Sequence, residues 1–290
     1  LSLNQNQGLP NFLCIGAERS GTTWLYEVFK AHPEIYLYPY IKEINFFSDH
    51  YHKGLTWYKQ FFIESRKTSS YKAIGDISPH YFHDREAPAR IAKDLPNIRL
   101  LLFLRNPVDR AFSEYAYNKL ILNIEEPFMK FLQRRERAYE IGLYSKHLKR
   151  WLEYFPQQQF LIFIFEEMMN NKFKSLKTIS KFLEINYKLL DKNIVLSKIH
   201  SSDIPRFHGL YTQGYKFASK IDEFLVSKDL YFISSQIKQF KKIFNLFKSK
   251  NTKEKLSPLL KNKLYLKYKK DIFDLENILG KDLNIWKLEN

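Results

Sequence analysis

Cysteine is nearly missing: Cys14 is the one thiol in 290 residues. No intrachain disulfide can form, and a structural zinc site of several cysteines is excluded. The shortage points to a reducing compartment rather than a disulfide-stapled secreted scaffold. No apolar run approaches the roughly 20 residues that span a bilayer, and no signal-peptide pattern opens the chain. The chain starts at Leu1 rather than Met, so a trimmed leader or anchor stays open. Its eight histidines show no HExxH-type spacing, and no metal is expected. Acid is short as well. Lys and Arg number 47 against 31 Asp and Glu, a formal charge of +16. Such a surplus favours an anionic partner: nucleic acid, a phosphorylated nucleotide, an acidic glycan or a membrane surface. Apolar residues are plentiful at 44%, which excludes a disordered chain and supports a sizeable core.

The apolar residues fall in short blocks. Residues 11–15 read NFLCI and end at Gly16. A run this short, closed by glycine, suits a strand buried on both faces. Thr22 to Ala31 then carries a helical pattern, with Trp24, Leu25, Val28 and Phe29 on one side, stopped by His32-Pro33. The unit recurs. IRLLLFL at 98–104 reads as a strand, followed by Arg105-Asn106-Pro107 and a helix from about Val108 to Leu120. FLIFIF at 160–165 reads as another, followed by Glu166-Glu167 and a helix, and Ala73–Ile77 as a shorter strand. Alternating strands and helices predict an α/β fold whose parallel sheet is flanked by helices. The chain reads as one domain over 1–290, with an α/β core over 1–206 and a helical, basic C-terminal part over 207–290. From Lys228 to Lys270 there are thirteen lysines and two acidic residues. Residues 264–279 read as a final amphipathic helix, with Trp286 packing back on the body.

Ligands of such sheets sit outside the carboxyl ends of the strands, where Gly16-Ala17-Glu18-Arg19-Ser20-Gly21-Thr22-Thr23 lies. Glycines at 16 and 21 and hydroxyls at a helix start make a phosphate cradle, in which backbone N–H groups and the positive helix end face the anion. The glycine spacing matches the Walker pattern GxxxxGK, but Thr22 stands where the Walker lysine belongs. The cation sits inside the loop instead, at Arg19. That fits a donor with fewer charges than ATP and no obligatory metal. The plainer alternative is a turn whose Ser and Thr merely cap the helix.

GAERSGTTWL, KEINFF and RNPVDRAFSEY, in this order and spacing, resemble the sulfotransferase family that uses 3′-phosphoadenosine-5′-phosphosulfate (PAPS), especially its bacterial and heparan-sulfate-type branch. Weaker matches are GLTWY at 54–58, GDISPHYF at 75–82, GLYSKHLKRWLEYFP at 142–156 and DLENILGKDLNIW at 274–286. The resemblance implies a P-loop-like α/β fold and transfer of sulfonate from PAPS to a hydroxyl or amine of a glycan, lipid or small metabolite, leaving PAP. It implies that Arg19 contacts the donor's 5′-phosphate and bridging oxygen, that Ser20, Gly21, Thr22 and Thr23 complete the cradle, and that Trp24 lies beside the adenine. Arg105 and Ser113 would hold the 3′-phosphate; the alternative for Arg105 is an ion pair with Asp109 or Glu114. Glu43 would be the general base that takes the acceptor's proton; its alternative is a solvated carboxylate or a partner for Lys42. Arg206, in SSDIPRFHG at 201–209, would close over the nucleotide.

Three departures set the chain apart from heparan-type acceptor recognition: Asn45 and Tyr117 stand where relatives place histidine, and Ile77 where some place lysine. His80 and His83 are further candidates for a base. Two rival readings stay in play. One is a P-loop-like kinase; the other is a non-enzymatic binder of anionic surfaces built on 228–270, where lysines interleave with aromatics. The enzyme reading expects PAPS and an unidentified acceptor as partners, no nucleic acid and no transmembrane segment. The basic region would then be an accessory that meets an anionic surface or acidic acceptor. The expected location is cytoplasmic, or the Golgi lumen if an N-terminal anchor was removed.

Overall fold

A computed structural model of the chain describes residues 8–122, 124–197 and 256–287, with single positions between 221 and 236. Five strands form one parallel sheet: β1 (Phe12–Gly16), β2 (Ile35–Leu37), β3 (Ala73–Ile77), β4 (Arg99–Leu104) and β5 (Phe160–Ile164), in the order β2-β3-β1-β4-β5. Phe12 pairs with Gly75 on one side and Arg99 on the other, and Leu100 pairs with Phe160. The fold is therefore the expected helix-flanked parallel sheet. β2, with three residues, went unread in the sequence; β1, β3 and β4 fall within a residue or so of expectation, and the third run ends one residue early because Phe165 opens a helix.

The uninterrupted apolar runs follow from burial on both faces. Phe12, Cys14, Leu101 and Phe103 point to one face, against Leu25 and Phe29 of α1 (Thr22–Lys30). The same layer holds Leu176, Ile179 and Leu183 of the helix Lys172–Leu183. Leu13, Ile15, Leu100, Leu102 and Leu104 point to the other face. There they meet Val108 and Ala111 of the helix Pro107–Leu122, Leu148 and Trp151 of the helix Tyr144–Leu152, and Tyr268 and Ile272 of the C-terminal helix.

The C-terminal helix spans Pro258–Leu279, six residues longer at its start than the pattern implied. Ser257 caps it, its hydroxyl accepting from the Leu260 N–H at 3.3 Å, and Pro258 sits at the first helical position. Trp286 does pack back on the body and is buried. Its indole N–H donates to Glu166 Oε2 at 2.8 Å, and its carbonyl accepts from Asn106 Nδ2 at 3.1 Å. The chain's end thus braces the turn that follows β4. Most of the basic stretch 228–270 and all of 201–209, including Arg206, lie outside the described residues.

The connection after β1 leaves towards one face of the sheet through α1, while that after β4 leaves towards the other through Pro107–Leu122. Adjacent strands whose connections diverge open a crevice at their carboxyl ends, the usual ligand position in such sheets.

Candidate active site

The loop after β1 is shaped by two residues with left-handed backbone. Arg19 has φ 63° and Gly21 φ 91°. A β-carbon on Gly21 would lie 2.8 Å from the Phe165 ring, so glycine is required there for space as well as conformation. Arg19 pays the cost of a non-glycine residue in that region; it aims its side chain across to the helix after β4. Its Nη2 donates to the Ser113 carbonyl at 3.4 Å, and its guanidinium lies 4.5 Å from the centre of the Tyr117 ring. Arg105, just past the end of β4, donates from Nη1 to the Arg19 carbonyl at 3.1 Å and lies 5.2 Å from the centre of the Phe165 ring. Arg19 thus bridges the two motifs, touching the Ser113 backbone on one side and Arg105 on the other. Neither carboxylate offered as an ion-pair partner for Arg105 is placed in that role: Asp109 pairs with Lys261, and Glu114 with the buried Arg110.

Burial, above all, lowers the Arg19 pKa; Tyr117 opposes this, and the nearby Arg105 adds to it. Arginine stays charged regardless. Two guanidiniums thus face one crevice closely enough to repel, and Arg19 Nε is buried without a hydrogen-bond partner. An anion bound between them would offset the repulsion and offer Nε an acceptor.

The hydroxyls of the loop take different parts. Ser20 is fully buried, with its N–H on the Ala17 carbonyl and its hydroxyl donating to the Glu18 carbonyl at 3.4 Å, so it builds the turn. Gly21 is the N-cap of α1, and no side-chain hydroxyl caps the helix; the plain capping alternative does not hold. Thr22 and Thr23 instead accept hydrogen bonds from Lys42 Nζ, each at 3.3 Å. Trp24 is buried on the α1 side, its indole N–H donating to the Val195 carbonyl at 3.2 Å.

Lys42 also reaches Glu43 Oε1 at 2.8 Å. Glu43 is 43% exposed at the mouth of the crevice, so it is both the accessible carboxylate expected and a partner of Lys42. Its segment is anchored from below by Asp76 at the end of β3. Asp76 is buried and accepts from the hydroxyls of Ser78 at 2.7 Å, Tyr81 at 2.8 Å and Tyr58 at 3.1 Å. Burial pushes its pKa up to about 6, against the three hydroxyl donors that pull it down. The Asn45 N–H donates to Ser78 Oγ at 3.1 Å, and Asn45 takes φ 51°, a conformation asparagine tolerates. Asp76, Ser78 and Asn45 form a chain of contacts that sets where Glu43 stands.

His80 and His83 lie together beside Glu18 and Arg137. Arg137 Nη2 donates to Glu18 Oε1 at 2.9 Å and meets His83 Nε2 at 3.0 Å and His80 Nδ1 at 3.3 Å. Burial, then the neighbouring His80 and Arg137, lower the His83 pKa to about 2, which makes it a poor proton acceptor. Glu18, His80 and His83 bring three metal-capable atoms within 4.8 Å, a grouping that sequence spacing did not show. In this conformation Arg137 occupies the centre of that grouping. A cavity of about 60 Å³ adjoins it, lined by His83, Arg85, Arg137, Lys146, His147 and Arg150 among others.

The fold is that of a P-loop-like α/β protein, with the loop after β1 and the turn after β4 meeting at adjacent strand ends. The sulfotransferase domain model matches residues 9–260, and the chain belongs to that family. It is 32% identical over 200 residues to mouse heparan sulfate glucosamine 3-O-sulfotransferase 3B1, covering 66% of this chain and 50% of that protein. It is 34% identical over 199 residues to mouse bifunctional heparan sulfate N-deacetylase/N-sulfotransferase 4, covering 61% of this chain and 22% of that protein. The chain thus spans half or less of the length of these relatives. A crystal structure of a sulfotransferase from Alicyclobacillus acidocaldarius superposes with a TM-score of 0.68 at 21% identity, over 96% of this chain and 98% of that one.

The sequence names Lys42 only as a partner for Glu43; its contacts with Thr22 and Thr23 join separate elements and leave no local signal, and neither does Arg137 beside the two histidines.

Proposed function

We propose that this chain transfers a sulfonate group from PAPS to a hydroxyl or amine of an acceptor, releasing PAP. One observation carries the reading most: Arg19 and Arg105 converge on one crevice beside Ser113, and Arg19 retains a buried, unpartnered Nε. A dianionic phosphate with bidentate geometry is what such a pair of arginines recognises best. Arg105 and Ser113 would hold the 3′-phosphate. Arg19, Gly21, Thr22 and Thr23 would hold the 5′-phosphate and bridging oxygen, and Ser20 would keep the loop in shape. Trp24, being buried, would wall the nucleotide side, and Arg206 would close over it.

In this reading the acceptor oxygen forms a bond to sulfur as the bond from sulfur to the bridging oxygen breaks. The electron pair of that bond stays on the 5′-phosphate oxygen. Glu43 takes the acceptor's proton, and Arg19 stabilises the charge that builds on the departing oxygen. These residues need no metal for the transfer. The acceptor is a glycan, lipid or small metabolite. Ile77, Asn45 and Tyr117, where heparan-type relatives carry lysine and histidines, support an acceptor other than heparan sulfate. The basic stretch 228–270 would meet an anionic surface or an acidic acceptor. Among the described residues no helix is long and apolar enough to cross a membrane.

The test is direct. The chain is incubated with PAPS and a host extract, and products are screened by mass spectrometry for a gain of one sulfonate. The reading expects sulfonated product and PAP in equal amounts. Absence of PAP release with every extract fraction would overturn it.

A further inference from the structure

Lys42 stands between the two halves of the crevice. Its ammonium touches Thr22 and Thr23 of the cradle, each at 3.3 Å, and Glu43 at 2.8 Å. Its side chain is only 18% exposed, so it is enclosed by these partners rather than waving in solvent. Arg19 lies at the other flank, tied to Ser113 and Tyr117. The loop is thus held between two cations of different character. The arginine is planar and fixed by its carbonyl and ring contacts. The lysine is a compact charge with three donors on a flexible stem.

We propose that Lys42 is the cation that binds the transferring sulfonate, moving from Glu43 to the sulfonate oxygens when the donor is bound and leaving the Glu43 carboxylate open to the acceptor. This rests on the donor reading above and extends it to a residue outside the loop motif. A base must reach the acceptor's proton while the acceptor oxygen reaches sulfur, so the sulfonate lies on the Glu43 side of the loop. Lys42 is placed on that side and already contacts the cradle hydroxyls. A partly exposed lysine–glutamate pair is weakly held, and a sulfonate entering beside it offers three oxygens to the same three donors. Thr22 and Thr23 guide the ammonium in either position. The device couples donor loading to the base: until a sulfonate arrives, the lysine occupies the carboxylate.

The consequence separates two ligands that differ only in the sulfonate. Titration calorimetry would compare PAPS and PAP on the wild type, Lys42→Met and Lys42→Arg, with thermal unfolding as a check on folding. Removing a charged hydrogen-bond donor costs about 10–100-fold in affinity. Lys42→Met should lose about that factor for PAPS while changing PAP by less than about threefold. Lys42→Arg, which keeps the charge, should recover most of the PAPS affinity. An equal loss for both ligands would assign Lys42 to the phosphates and overturn the proposal. No loss for either would reduce it to a partner of Glu43. A wild type that binds neither nucleotide would fell the donor reading and the Lys42 assignment with it. A wild type that binds both, with an insensitive Lys42→Met, would fell the Lys42 assignment alone.

Discussion

On the donor side of the crevice, the groups that would meet phosphate are held by neighbours that are largely buried. Arg105 leans on Phe165 and the Arg19 carbonyl, and the turn that carries it is tied through Asn106 to Glu166 and Trp286. On the acceptor side the conspicuous groups are charged and more open. Glu43 is 43% exposed, and Arg137 is 53% exposed while shared among Glu18, His80 and His83. The first construction suits a ligand that is always the same, since preorganised donors lose no freedom on binding. The second leaves charge and space for an acceptor whose recognition can differ among relatives built on the same cradle. On that side Asp76, buried below Glu43, gives an equally fixed point.

That contrast can be broken by substitution on either side. The largest effect should come from Glu43→Gln, which keeps size but cannot take a proton. Turnover should fall by about 100–10,000-fold, with PAP affinity changed little, as read by single-turnover kinetics beside calorimetry. Retained activity in a folded Glu43→Gln protein would remove the assignment and turn attention to His80; the depressed pKa of His83 argues against it as the substitute.

On the donor side, Arg105→Ala should weaken PAP binding by about 2–5 kcal/mol, the range for removing one partner of a desolvated charge pair. Adenosine-5′-phosphosulfate lacks the 3′-phosphate and should bind both proteins about equally. A variant that still prefers PAP to the same degree would show that the 3′-phosphate is held elsewhere.

Asp76→Asn tests the fixed point of the acceptor side. An amide replaces one acceptor oxygen with a donor against hydroxyls that already donate, at a cost of about 1–3 kcal/mol. The pH dependence has a definite sign. The folded pKa, about 6, lies above the ordinary carboxylate value, so the folded state keeps this proton longer than the unfolded state. The wild type therefore loses stability from this group as pH rises from about 4 to about 6, and the asparagine variant does not. Urea unfolding should show a larger deficit for the variant at pH 4 than at pH 7. A deficit that grows with pH would contradict the assignment.

Trp286→Phe should have the smallest effect. It keeps most of the packing but removes the indole bond to Glu166, a loss of about 1–2 kcal/mol in stability. Arg105 should be slightly less well held, and PAP affinity slightly reduced.

The legible parts of the sequence were those whose signal is local. β1, β4 and the greater part of β5 read directly because both faces of the sheet are covered and the runs are apolar throughout. β2 is three residues long, too short for any period to show. The start of the C-terminal helix carried its own mark in Ser257-Pro258, a cap followed by a first-turn proline, which a search for apolar spacing alone passes over. The same division holds at the site. The Gly16–Thr23 loop and the eight-residue step from Arg105 to Ser113 sit on single strand–helix joints and were visible. Lys42 against Thr22, Asp76 beneath Glu43 and Arg137 among two histidines join separate elements, and no spacing in the chain encodes them.

The central claim is that the crevice between β1 and β4 is a site for a 3′-phosphorylated adenine nucleotide. Thermal unfolding with PAP in the presence of EDTA tests it most directly, set against ATP with magnesium. Ligand at about 100 times its dissociation constant should stabilise the fold by roughly 2.7 kcal/mol. The account predicts a clear rise in Tm with PAP that EDTA does not abolish, and little or none with ATP and magnesium. No rise with PAP, together with a clear rise with ATP and magnesium, would contradict it.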